Sequence, residues 1–187
     1  PLDELLAECL VAGMPCGGPR LLKTDNVPAY TTPIHEERIR DVIRLHAPDL
    51  YVSISSEVLP EFREFERTST TVVNAYIGPR MQGYLTRLRE RIAHTGVSCQ
   101  PMTFHSNGGL LPLSTVEKLP VLTCLSGPAG GVVGSVAIGE EAGIANIITF
   151  DVGGTSTDVS LIADGRPRYT SNRLVAGYPV KVPMLDI

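Results

Sequence analysis

The sequence contains no tryptophan and only four phenylalanines. Aromatic faces on which bases could stack are therefore scarce. A net charge of −4 also withholds the basic footprint that nucleic-acid binding requires. Charged residues make up only 19% of the chain against 43% hydrophobic, the balance of a folded globular protein rather than a disordered one. Proline, glycine or charge interrupts every apolar run before membrane-spanning length, so neither nucleic acid nor membrane is indicated as a partner. No secretory leader is visible, in a sequence that opens on Pro1 rather than Met. Cys9, Cys16, Cys99 and Cys124 are widely spaced and form no C-x-x-C pair. That argues against structural zinc and against a disulfide scaffold, and leads us to expect reduced thiols in a cytoplasmic protein.

Glycine is plentiful, at 18 residues, and two adjacent glycines mark the most informative stretch, Ile147 to Ile162. Ile147 to Phe150 is a short β-branched apolar run that suits a buried strand, and Val159 to Ile162 resumes the pattern. Between them lie Asp151, Gly153, Gly154, Thr155, Thr157 and Asp158. Glycine can enter φ > 0 and lets backbone N–H groups approach a ligand, and successive N–H groups in a turn make an anion site. A carboxylate beside a bound phosphate acts through Mg²⁺, which prefers oxygen ligands and keeps several waters. From Gly-Gly alone a plain hairpin is the simpler reading; the flanking aspartates and threonines weigh against it.

Elsewhere the chain reads as alternating helices and short strands. Leu2 to Val11 suits a short helix, and proline and glycine punctuate the residues up to Pro33. Thr32-Pro33 opens a helix that ends before Pro48, with Thr32 as cap, Pro33 in the first helical position, and Ile34, Ile39, Val42, Ile43 and His46 on one face. His35 and Glu36 suggest metal or acid–base chemistry, but carboxylates in a first turn are also what the helix dipole favours. Tyr51, Val52 and Ile54 read as a strand. Thr68 to Ala93 is helical, split at Gly78-Pro79, with Tyr76 and Tyr84 in its apolar stripe. Arg67, Thr71 and Asn74 share a face of it, either as a cleft-facing polar set or as a local cap and salt-bridge cluster.

Ser98 to His105 reads as an edge strand interrupted by Pro101, followed by a turn at Ser106 to Gly109 on the side of a sheet where ligands sit. Val121 to Leu125 reads as a strand. Ser126 to about Gly143 reads as a helix capped by Ser126 or Gly127, with Pro128 in its first position. Its many small residues suggest close approach by another backbone. Asp164-Gly165 then turns the chain into a third strand, Arg168 to Ser171. Cys124 precedes that small-residue helix with no base in view, so a nucleophilic role has little support.

These residues carry a resemblance. Asp151 to Asp158 resembles the second phosphate loop of the actin-like ATPase superfamily. Together with Ser126 to Gly134, Glu66 to Thr71, Asn74 to Tyr76 and Ser106 to Leu110, it is similar to the hydantoinase A/5-oxoprolinase family over roughly Tyr30 to Ile187. The resemblance implies an α/β, ribonuclease H-like or actin-like ATPase fold, a mixed sheet with flanking helices and an incomplete second lobe. Residues 1–126 would end a first lobe, 127–145 would form a linking helix, and 146–187 would start the second lobe.

By the same resemblance, ATP and Mg²⁺ sit between the lobes. The γ-phosphate passes to the carbonyl oxygen of a cyclic amide such as hydantoin or 5-oxoproline, and water then opens the ring. Asp151 and Thr155 are the catalytic candidates, and Asp151 is the metal ligand. Gly153, Gly154, Thr155, Thr157 and Asp158 are the nucleotide-binding candidates. A hydantoinase B-type subunit or domain is the expected partner. The family's first Asp-Gly-Gly-Thr loop is not in this sequence, so the chain reads as a fragment, inactive alone. A ketone carboxylase subunit of the same family and a non-enzymatic nucleotide switch are the alternatives.

Overall fold

The computed structural model describes residues 31–187. The helix expected over Leu2 to Val11 and the thiols of Cys9 and Cys16 lie outside the described residues. The chain divides into two compact units, residues 1–80 and 81–187.

In the first unit, α1 (Ile34–His46) stops short of Pro48, as the restriction on residues before proline requires. Pro33 occupies the capping position rather than the first helical one, and no side chain caps the helix. Of the expected apolar face only Ile39 is buried; Ile34 is exposed. The strand expected over Tyr51 to Ile54 does not form. That segment joins no β-ladder among the described residues and leads into one helical turn, α2 (Ser55–Val58). The turn is held from α1, where the Arg40 guanidinium reaches the Glu57 carboxylate at 2.6 Å.

The next helix, α3 (Glu64–His94), runs unbroken for 31 residues with Pro79 inside it, against the split expected at Gly78-Pro79. One proline removes a single donor from a ladder this long, so the break is not obligatory. Gly78 instead makes room for a ring, since a Cβ there would lie 2.2 Å from the Tyr51 side chain. The division between the compact units follows directly, after Arg80. Tyr76 and Tyr84 are exposed, not part of a buried stripe. The buried face of α3 is polar in the first unit, through Arg67, Thr70, Thr71 and Asn74. From Met81 on it becomes apolar, with Leu85 at its centre.

In the second unit, β1 (Met102–Phe104) and β2 (Leu110–Pro112) form a hairpin, and α4 (Leu113–Lys118) follows. β1 starts only after Pro101, which cannot donate to a ladder. Leu85, Leu113 and Val116 make one small core. A 3-10 turn, Pro120–Thr123, replaces the strand expected over Val121 to Leu125. Ser106 faces the carbonyls that a ladder would need: its N–H donates to Leu122 at 2.8 Å, and its hydroxyl, with one proton to give, lies within hydrogen-bond reach of both Leu122 and Cys124.

Leu125, left-handed at φ 64°, then leads into α5 (Ser126–Ala142), which Gly143 ends at φ 69°. Pro128 is the third helical residue, not the first, still among the positions whose N–H has no helical acceptor. A Cβ added at Gly130 would lie 3.6 Å from the Phe104 ring, an ordinary contact, whereas Gly127, Gly131 and Gly134 face open space, so no second backbone crosses there among the described residues.

β3 (Ile147–Val152), β4 (Thr157–Ala163) and β5 (Arg166–Pro167) form an antiparallel sheet, the last two joined by the Asp164-Gly165 turn. Both turn residues have positive φ, 51° and 72°, as a two-residue hairpin turn requires. The third strand is thus Arg166–Pro167. β6 (Tyr169–Thr170), in the stretch expected to supply it, pairs with β9 (Met184–Leu185) instead. β7 (Arg173–Val175) and β8 (Tyr178–Val180) make a further hairpin. Every ladder among the described residues is antiparallel, so the expected mixed sheet is not found there. Ala129 and Val132 of α5 pack on Ile162 and Leu185 to form the second core.

Gly108 tests this packing. Its φ is +85°, and an added Cβ would sit 2.6 Å from Val133 Cγ2. Gly108→Ala is expected to cost at least about 2 kcal/mol, from left-handed strain plus overpacking, read by urea denaturation.

Candidate functional site

The β3–β4 hairpin places the expected phosphate-loop residues together. Antiparallel register sets Asp151 opposite Asp158 and Val152 opposite Thr157, with residues 153–156 as the connecting loop. Residues 153–157 and Asp151 are exposed, and Asp158 is half-buried. The Gly153 N–H donates to the Ser156 carbonyl at 2.9 Å and so closes the loop on itself. The N–H groups of Gly154 and Thr155 have no acceptor among the described residues. Neither glycine has positive φ, contrary to expectation; their use here is the absent side chain. Above Gly154, a Cβ would meet nothing within 4 Å.

The two carboxylates lie on one face of the hairpin, because directly opposed residues of an antiparallel pair project to the same side. Neither has a cationic partner among the described residues. Like charges placed in this way repel, and a divalent cation removes the repulsion. No group of three or more His, Cys, Asp or Glu side chains suited to a metal occurs among the described residues. Remaining ligands would therefore come from water or from phosphate oxygens, which suits Mg²⁺. The residues present fit such an ion, with Asp151 and Asp158 as its protein carboxylates.

Further along this face, the Ser160 amide donates to Thr149 Oγ1 at 3.1 Å and the Ser160 hydroxyl to the Asp186 carbonyl at 2.7 Å. Ile162 then anchors the strand in the core. The opposite face carries Ile148, Phe150, Val152, Val159 and Leu161, all exposed, with Phe150 at 68%. The strand expected to be buried is therefore covered on one side only.

Other candidates resolve differently. Glu36 accepts from the Ser55 hydroxyl at 2.6 Å and the Ser56 amide at 2.8 Å, capping α2 from a distance. Its neighbour His35 is exposed. Arg67 and Asn74 do share a buried face, but their contacts are structural. Arg67 donates to the Glu61 carbonyl at 3.0 Å, and Asn74 Nδ2 to Ser53 Oγ at 2.9 Å. Burial pushes the Cys124 thiol above its ordinary pKa, the wrong direction for a nucleophile. Sequence reasoning named Asn107 but missed its neighbour His105, which is 8% exposed and accepts the Asn107 N–H on Nδ1 at 2.9 Å. A histidine just ahead of a Ser-Asn-Gly-Gly turn was the available signal.

Comparison with known proteins identifies the family. The hydantoinase/oxoprolinase family matches residues 67–187, and the chain belongs to it. Caprolactamase subunit alpha of Pseudomonas jessenii is 37% identical over 155 residues, covering 83% of this chain and 22% of the relative. 5-Oxoprolinase of Saccharomyces cerevisiae is 35% identical over 160 residues, covering 85% of this chain and 12% of the relative.

Two solved structures are similar. A nucleotide-free acetone carboxylase has a TM-score of 0.73 at 28% identity, covering 84% of this chain and 22% of the other. The ATP-dependent caprolactamase of Pseudomonas jessenii has a TM-score of 0.73 at 37% identity, covering 84% and 23%. The chain spans less than a quarter of the length of these relatives. Among the described residues, no helix is long and apolar enough to cross a membrane.

Two titrations check the environments above. Burial raises the Tyr51 hydroxyl to about 12, with hydrogen bonds to Ser53 and Asn74 opposing the shift. Because the folded pKa lies above the unfolded one, Tyr51 stabilises the fold below about pH 10, and that contribution fades as pH rises toward 12. A late-titrating tyrosine should appear in the ultraviolet absorbance as pH rises above about 10, and be lost in Tyr51→Phe. Thiol labelling at about pH 8 should modify exposed Cys99 before Cys124.

Proposed function

We propose that this chain is part of an ATP-dependent enzyme that activates a carbonyl group for hydrolysis, with a cyclic amide as substrate. The observation that carries this reading is the hairpin. An exposed loop offers two uncommitted amides beside an opposed pair of carboxylates. Similarity to a caprolactamase and a 5-oxoprolinase supports the amide. The fold we assign to the whole is ribonuclease H-like, or actin-like: residues 1–126 end one lobe, 127–145 link, and 146–187 open the second. The antiparallel β3–β4–β5 sheet behind α5 supports that assignment.

In this reading, Gly154 and Thr155 donate their N–H groups to the terminal phosphate of ATP, the bare Cα of Gly154 leaves room for it, and Gly153 shapes the loop around it. Thr155 presents its hydroxyl to the same oxygens, and Thr157 braces the loop. Asp151 and Asp158 hold a hydrated Mg²⁺, which supplies charge neutralisation for phosphoryl transfer. The protein's contribution is placement of fixed donors and charges around the group that moves. Related proteins are named as subunits, so a hydantoinase B-type partner completes the proposal.

A ketone carboxylase subunit is the second reading. It is favoured by the acetone carboxylase likeness at the same TM-score of 0.73, though at 28% rather than 37% identity.

The test is ATP hydrolysis by the full-length protein, stimulated by a lactam but not by a ketone. ATP hydrolysis that no carbonyl compound stimulates would return the loop to a nucleotide switch. Asp151→Asn keeps the side-chain shape and removes a metal partner worth several kcal/mol. Turnover should fall about a hundredfold or more with unchanged folding. Independently of activity, Mg²⁺ should raise the thermal midpoint of the wild-type chain and not that of Asp151→Asn.

A further inference from the structure

The Ser106–Gly109 turn lies outside the β3–β4 loop, yet it is tied by hydrogen bonds to two distant parts of the second unit. The Ser106 amide donates to the Leu122 carbonyl at 2.8 Å, and its carbonyl accepts the Leu185 N–H at 2.8 Å. Gly108, at φ +85°, lies against Val133 and Leu185 too closely to admit a Cβ.

Two side chains of this turn have their hydrogen-bonding sense fixed by the backbone. A backbone N–H can only donate, so His105 Nδ1, which accepts from Asn107 N at 2.9 Å, carries the lone pair. In the neutral ring the proton is then on Nε2. Asn107 Oδ1 likewise accepts the Gly109 N–H at 2.9 Å, which leaves the NH₂ as the free end of the side-chain amide. Neither Nε2–H nor that NH₂ has an acceptor among the described residues. His105 is 8% exposed, but its Nε2 is not sealed. The Ser56 hydroxyl is the one fully buried side-chain polar atom without a partner among the described residues. The Nε2–H therefore reaches the surface with its donor sense preset, where water or a ligand oxygen can accept from it.

The turn is also tied to the carboxylate strand. Leu185 bonds to Ser106, and the next residue, Asp186, accepts the Ser160 hydroxyl at 2.7 Å. Ser160 lies two residues beyond Asp158 on the same face of β4, about 7 Å along the strand.

We infer that His105 and Asn107 form a two-donor site for a carbonyl or carboxylate oxygen of the small-molecule substrate. The inference rests on the carbonyl-activating function proposed above. The site holds an oxygen other than the one that takes the phosphoryl group, because donors on that oxygen would oppose its attack. It orients the substrate and is indifferent to the nucleotide.

The test is ring-nitrogen NMR of His105 in the chain, titrated with 5-oxo-L-proline, whose carboxylate supplies the second oxygen, with ε-caprolactam, whose one oxygen is the lactam carbonyl, as the control, and in a further arm with ATP. The neutral ring should carry its proton on Nε2, and its resonances should shift saturably with 5-oxo-L-proline and not with ε-caprolactam. Asn107→Asp keeps the acceptor for the Gly109 N–H, so the turn stays folded, and replaces the donor by a negative charge. Affinity for 5-oxo-L-proline in that variant should fall about tenfold or more, one hydrogen bond lost and a repulsion added. His105→Gln, which offers a side-chain N–H in the place of Nε2, should bind better than His105→Ala.

A ring protonated on Nδ1, resonances indifferent to 5-oxo-L-proline, an equal response to ε-caprolactam, or a response to ATP alone would overturn the assignment. A lactam that shifts the ring while the full-length protein hydrolyses no ATP in its presence would overturn the proposed activity and leave this site standing.

Discussion

The pairing of β3 with β4 governs most of what this chain can do. Because Thr149 faces Ser160 and Ile147 faces Ile162, Asp151 must face Asp158. The same register sends Ile148, Phe150 and Val152 to the other side with Val159 and Leu161. A slip of one residue would turn the aspartates onto the apolar face and put Phe150 toward the core. The register is pinned at one end by Ile162, fully buried against α5, and in the middle by hydrogen bonds from Ser160 to Thr149 and to the chain at Asp186. The loop at the other end is left without side-chain anchors, which suits a segment that must meet a ligand.

Opposed carboxylates across an antiparallel pair cost about 0.2–1 kcal/mol in hairpin stability. At the exposed end of a strand that cost is tolerable, since the core at the far end fixes the pairing. The loop's own closure, through Gly153 and Ser156, uses one amide and leaves those of Gly154 and Thr155. The two glycines thus divide the labour, the first shaping the turn and the second keeping the approach open.

How much of this was readable in the residues varies with the range of the interaction. The hairpin was legible because a β-branched run, two glycines and a second run lie within a few residues, and the Asp164-Gly165 turn for the same reason. The helix Ser126–Ala142 was legible from its flanking punctuation. The strands expected at Tyr51 to Ile54 and Val121 to Leu125 were apolar enough, but a strand needs a partner, and no local pattern tells whether one is supplied. Around Leu122 the deciding group is a hydroxyl 16 residues away. Pro79 misled because its cost is local, while the length of α3 is set by what packs along it. His105 was passed over because its open Nε2 is visible only once Nδ1 is seen to be taken.

The Ser106 side chain and backbone draw together three parts of the chain that are far apart in the sequence. Contact with Leu122 closes a loop of 16 residues. Reaching Leu185 closes one about five times longer, at an added entropic cost of about 1.4 kcal/mol. Of these two closures the shorter should therefore form first and the docking of β9 follow it. The seat of Asp186 against the carboxylate strand then depends on the slower of the two.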